Sequence, residues 1–229
     1  MTRILAIDTA LDAVSACVYD DNADDVFVSE TIVMQRGQAE ALMPLLDRVV
    51  SEAGGFDTLD RVAVTVGPGS FTGLRIGIAA ARAIGIACHV AVVGVSTLAA
   101  LAAPLILAAE PGLVVPAIDA KHGSIYFAVF GPDGRALVAP RVANVREAVR
   151  LLGTGPIRMA GSGAPMLAIE AWSARLIAEV VGETGAPDIA YVARLGLLAD
   201  PHGAPPRPLY LKPPDAKPQD QSQIALAPT

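Results

Sequence analysis

Val62-Ala-Val-Thr-Val-Gly67-Pro-Gly-Ser70-Phe-Thr-Gly-Leu-Arg75-Ile-Gly-Ile-Ala-Ala-Ala-Arg82 sets a β-branched run, a glycine-punctuated turn and an almost wholly apolar helix end to end with no spacer. The run Val62 to Val66 predicts a short buried strand, and Gly67-Pro68-Gly69 a turn that glycine makes cheaply. A helix then starts near Ser70, where Ser70 or Thr72 can cap the first-turn amides. Those amides, with the helix dipole, offer a seat for an anion. The same glycines would equally let the chain reverse tightly over a sheet edge. The pattern is neither G-x-G-x-x-G nor a P-loop, since no Gly-Lys-Ser/Thr follows. From Leu74 to Ala87 apolar and small residues occur all round the helix, and its only charges, Arg75 and Arg82, fall on one face two turns apart. Such a helix must be covered on nearly every side. Gly73, Gly77 and Gly85 invite close backbone approach, at about 1 kcal/mol each against alanine. No run of about 20 uncharged apolar residues exists, which argues against a membrane span.

Working outward, Ile4 to Ile7, Val14 to Tyr19 and Val26 to Val33 read as an antiparallel meander. Gly37 to Ala53 reads as a helix whose apolar arc exceeds the ~100° stripe of an ordinary surface helix. Pro44 either kinks it or marks its first turn. With the Val62 strand, the Ser70 helix and a strand at Val90 to Val93, the order is βββαβαβ, which suggests a ribonuclease-H-like mixed sheet. After the Ala/Leu-rich segment 96–109 come strands at Leu113 to Ile118 and Ile125 to Phe130, a turn at Gly131-Pro-Asp-Gly134, and α/β alternation through 145–180. No internal repeat is visible. The expected organisation is a first lobe at 1–103 carrying partner-binding helices, a smaller second lobe at 104–212, and a flexible proline-rich tail at 213–229.

A chain of 229 residues that is 53% hydrophobic and 17% charged can bury a sizeable core. Its start shows neither a signal-peptide pattern nor a transit sequence, so the cytoplasm is the expected compartment. Cys17 and Cys88 are too few and too far apart for a disulfide framework or a C-x-x-C site. A net charge of −6 argues against autonomous nucleic-acid binding.

Ile4-Leu-Ala-Ile-Asp-Thr9, Gly67-Pro-Gly-Ser-Phe-Thr-Gly-Leu-Arg75, Gly94-Val-Ser96 and Pro208-Leu-Tyr-Leu211 closely resemble the TsaB (YeaZ) family. Ile118-Asp-Ala-Lys121, Ile125-Tyr126 and Gly161-Ser-Gly163 resemble its second-lobe landmarks. The resemblance implies an α/β actin-like (ASKHA) fold of two ribonuclease-H-like lobes with mixed sheets. It also implies a non-catalytic role beside the paralogue TsaD in making N6-threonylcarbamoyladenosine on tRNA. In the catalytic paralogue a segment resembling Gly94 to Leu101 carries two histidines four apart, a spacing that can hold one metal. Here those places read as Thr97 and Leu101, so neither a catalytic nor a metal site is expected in this chain. ATP and metal are expected in the partner subunits.

The candidate partner interface comprises Leu42, Leu45, Leu46 and Val49 on the Gly37 helix, with Phe71, Arg75, Ile78 and Arg82 on the Ser70 helix. Its motive is the excess apolar width of the two helices. The arginines suit carboxylates across that interface or on this chain's own surface. Expected partners are TsaD, TsaE through the complex, tRNA only through the complex, and a second copy of this chain by the same helices. The rival reading is a stand-alone actin-fold ATPase or small-molecule kinase using Asp8 and Asp119. Its anion or nucleotide site would be Asp8, Thr9, Gly69 and Ser70, although Asp8-Thr-Ala-Leu-Asp12 lacks the glycine that phosphate approach favours.

Overall fold

The computed structural model describes residues 2–22, 25–182 and 185–212. The expected tail at 213–229 lies outside the described residues. The elements are β1 (Arg3–Asp8), β2 (Ala13–Asp20), β3 (Asp25–Val33), α1 (Gln38–Glu52), β4 (Arg61–Gly67), α2 (Phe71–Cys88), β5 (Ala91–Ser96) and α3 (Thr97–Leu107). They are followed by β6 (Leu113–Asp119), β7 (Ser124–Phe130), β8 (Ala136–Asn144), α4 (Val145–Leu151), β9 (Pro156–Ala160), α5 (Ala164–Ser173), β10 (Ile177–Gly182) and α6 (Ile189–Leu198). Strand order is β3-β2-β1-β4-β5 in one sheet and β8-β7-β6-β9-β10 in the other. In both sheets the three-strand meander is antiparallel and the last two strands are parallel.

Each half therefore runs βββαβαβα, so the molecule is a repeat of topology although no repeat shows in its sequence. Topology needs only a pattern of apolar periods and turns, which two unlike sequences can share. Strand β8 carries Pro140 and was not anticipated; as an edge strand it tolerates a proline that a central strand would not. Helix α1 runs unbroken through Pro44, which is exposed.

The first core lies between the first sheet and the pair α1 and α2, built from residues such as Leu5, Val14, Leu42, Leu46, Val64, Leu74 and Ile78. Its counterpart in the second half packs Phe127, Val129, Ile157 and Met159 against α4 and α5. The opposite face of the first sheet is covered by α6, whose Ile189, Val192 and Ala193 meet Ile4, Tyr19, Ala63 and Val93. Helix α3 packs mainly on the second sheet, with Leu98 and Leu101 against Ile118 and Ala128. The boundary expected at 103/104 therefore does not divide the packing. Residues 189–212 return to the first lobe, where Gly94 N donates to Ala204 O at 2.8 Å and Leu209 N to Val66 O at 2.7 Å. Arg61 fixes that return, with Nη1 donating to the carbonyls of Gly196, Leu197 and Ala199 at 3.0, 3.0 and 3.1 Å. Helix α2 is long and apolar enough to cross a membrane by length and composition. Here its face of Gly73, Leu74, Gly77, Ile78, Ala81, Ile84 and Gly85 is buried within the protein.

Candidate functional site

The turn after β1, the turn after β4 and the start of α2 form one unit. Ser70 caps α2, its hydroxyl accepting from Gly73 N at 3.2 Å. Ser70 N donates to Ala10 O at 2.7 Å, and Thr9 Oγ1 donates to Gly73 O at 2.7 Å. The glycines of this stretch are needed for that approach, because a Cβ on Gly69 would collide with Ala10 O and one on Gly73 with Thr9 O. The string at 67–75 thus reads structurally as the interlock of two turns with a helix start.

Asp8 and Thr9 are fully buried. Asp8 Oδ1 accepts from Thr65 Oγ1 at 2.5 Å and from Ala10 N at 3.1 Å, while Oδ2 is buried with no hydrogen-bond partner among the described residues. Burial pushes the Asp8 carboxyl up to about 6, against the smaller opposing pull of the Thr65 hydroxyl and the Ala10 and Thr9 amides. Sequence reasoning missed Thr65, which the alternation of a buried strand does not distinguish from its valine neighbours.

A cleft of about 310 Å³ opens between the lobes, lined on one side by Ala10, Asp12, Gly69, Ser70 and Phe71 and on the other by Asp119, Lys121, Tyr126 and Ser162. Leu209, Tyr210 and Lys212 close its edge. Of the four residues proposed for an anion, the structure brings Gly69 and Ser70 to this cleft and seals Asp8 and Thr9 beneath it. Asp119, the other carboxylate of the enzyme reading, is paired with Lys121 Nζ at 3.1 Å.

The expected interface residues divide sharply. Leu42, Leu45, Leu46, Val49 and Ile78 are at most 4% exposed and belong to the first core. They are therefore corrected from surface to core: the wide apolar arc of α1 is consumed by this chain's own sheet on one side and α2 on the other. Phe71 is half-buried, and Arg75 and Arg82 are exposed. What α2 does present outward is a ridge of Thr72, Arg75, Ala79, Arg82, Ala83 and Ile86, the last 76% exposed, and α1 adds Met43 at 54%. Thr97 and Leu101 are buried in α3, with Thr97 Oγ1 unpartnered among the described residues.

Two lobes of one mixed-sheet topology, facing each other across a cleft and joined by a helix packed between them, define an actin-like α/β protein. The model of the family TsaD, tRNA N6-adenosine threonylcarbamoyltransferase, matches residues 32–173. An uncharacterized protein of Mycobacterium tuberculosis is 36% identical over 219 residues, covering 95% of each chain. The tRNA threonylcarbamoyladenosine biosynthesis protein TsaB of Escherichia coli is 29% identical over 154 residues, 63% of this chain and 65% of that protein. Among solved structures, YeaZ from Pseudomonas aeruginosa superposes with a TM-score of 0.73 at 23% identity, over 92% of this chain and 100% of that one. The chain belongs to the TsaB/YeaZ branch of this family.

Proposed function

We propose that this chain serves tRNA threonylcarbamoyladenosine biosynthesis in the cytoplasm as a non-catalytic subunit that pairs with TsaD through the outer ridge of α2. The observation that carries the pairing is that ridge, where Ala79, Ala83 and Ile86 stand exposed in a chain of this family, with Met43 exposed on α1. Small residues let a partner helix approach closely, and the exposed isoleucine and methionine supply apolar area to bury. The same ridge suits a second copy of this chain, which would compete with TsaD for it. TsaE and tRNA are reached through the complex, and ATP and metal belong to the partner subunits.

Two features support a subunit without its own chemistry. The carboxylate after the first strand, Asp8, is sealed beneath the cleft and committed to Thr65 and Ala10. Thr97 and Leu101, standing where the resemblance places the catalytic paralogue's histidines, are buried core. Light scattering after size exclusion tests the proposal, on this chain alone and mixed with TsaD of the same organism. A heteromer that Ala83→Glu abolishes without altering the circular dichroism is the expected result. Two unmixed peaks, or nucleotide turnover by the isolated chain, would overturn the proposal.

A further inference from the structure

Arg75 is held in place within the isolated chain. Its guanidinium carbon lies 3.7 Å from the ring centroid of Phe71, one turn earlier on α2. Its Nε donates to the Tyr210 hydroxyl at 3.1 Å. The Tyr210 ring in turn packs on Phe71 with centroids 4.8 Å apart, and its backbone is pinned next door by the Leu209 N to Val66 O hydrogen bond at 2.7 Å. The segment that returns from α6 therefore supplies the third member of a stack whose other two members lie on α2.

This clamp occupies one edge of the guanidinium and leaves the other. With Nε taken, the fork of Nη1 and Nη2 remains, and neither atom meets a carboxylate among the described residues. That fork is the geometry that grips a planar oxyanion with two parallel hydrogen bonds. An arginine already ordered by stacking loses little further rotamer freedom on docking, so the contact it makes is stronger than that of a free surface arginine. Helix α2 contains no acidic residue, and its ridge charges, Arg75 and Arg82, are both positive in a chain of net charge −6.

We infer that Arg75, clamped by Phe71 and Tyr210, is the specificity-determining contact of the α2 ridge and receives an aspartate or glutamate carboxylate of the protein that docks there. This rests on the proposed pairing with TsaD. A protein carboxylate fits better than an RNA phosphate because the ridge adds only one further cation, Arg82, to Arg75 and is otherwise threonine, alanine and isoleucine, whereas phosphate binding draws its strength from many cations together. Aromatic and arginine side chains around a small apolar patch are the composition of an interface hot spot.

The test measures pairing of the full chain with TsaD by titration calorimetry, for the wild type and for Arg75→Glu, Arg75→Lys and Tyr210→Phe, each checked by circular dichroism. Reversal of the charge should weaken pairing about 100-fold. Lysine, which keeps the charge but loses the fork and the flat stack, should cost about tenfold. Tyr210→Phe keeps the ring and frees Nε, and should cost about threefold. Raising salt from about 50 to about 500 mM should weaken the wild type more than Arg75→Glu. If the wild type pairs and Arg75→Glu pairs equally well, the role of Arg75 falls and the pairing stands. A wild type that does not pair overturns both. If Arg75→Glu leaves pairing intact and lowers affinity of the complex for tRNA, the ligand is phosphate and the carboxylate assignment is overturned.

Discussion

Replacing Asp8 by asparagine should make this protein more stable at neutral pH and leave it unchanged in acid. Asp8 is fully buried with one oxygen unpartnered among the described residues, and its carboxyl is raised by burial from the ordinary 3.8 to about 6. Between those values the folded chain holds a proton that the unfolded chain has released. Folding stability therefore falls as pH rises through about 4 to about 6, and the loss is complete above that window. The difference corresponds to about 3 kcal/mol. Asparagine imitates the protonated acid: its carbonyl can still accept from Thr65 and Ala10, and its amide puts a donor where the acid proton would sit. The variant should match the wild type at about pH 3, below both values, and exceed it by up to about 3 kcal/mol at about pH 8. Urea denaturation of both proteins at half-unit pH steps measures this, and the difference between the two curves isolates Asp8 from the other carboxylates. A variant less stable than the wild type at pH 8, or two curves of equal slope, would refute the account.

Gly73→Ala drives a methyl into the Thr9 carbonyl and should lower stability by about 1–3 kcal/mol or more, read from a thermal melt. Leu45→Glu, which buries an unpaired charge in the first core, should leave the chain unfolded or molten by near-ultraviolet circular dichroism. Ile86→Glu, on the exposed ridge, should preserve the melt and remove pairing by light scattering. Burial, with a lesser push from the Asp188 charge, raises the Cys17 thiol to about 12, so iodoacetamide at pH 8 should leave Cys17 unmodified until urea unfolds the chain; mass spectrometry of the labelled peptides reads this.

Much of the first lobe was legible because its signals are local. The glycine turn, the serine cap and the apolar runs of β1, β2 and β3 depend on neighbours within a few positions. The repeat of topology was legible only through the family resemblance and not in the residues themselves, since two halves can share an order of elements without sharing residues. The return of α6 to the first sheet was hidden for a related reason: the sequence of Ile189–Leu198 shows an apolar helix face but not the sheet that covers it.

The candidate site shows the same division. By itself, the sequence determined that α1 and α2 are too apolar for simple surface helices, and that the string at 67–75 places this chain in its family. Only the tertiary structure decided that Leu42, Leu45, Leu46 and Val49 face inward, that Asp8 lies sealed beneath the cleft, and that Tyr210 reaches Arg75 across 135 residues. The hydrophobic period of a segment reports how much of it must be covered, whereas what covers it depends on chain brought back from far along the sequence.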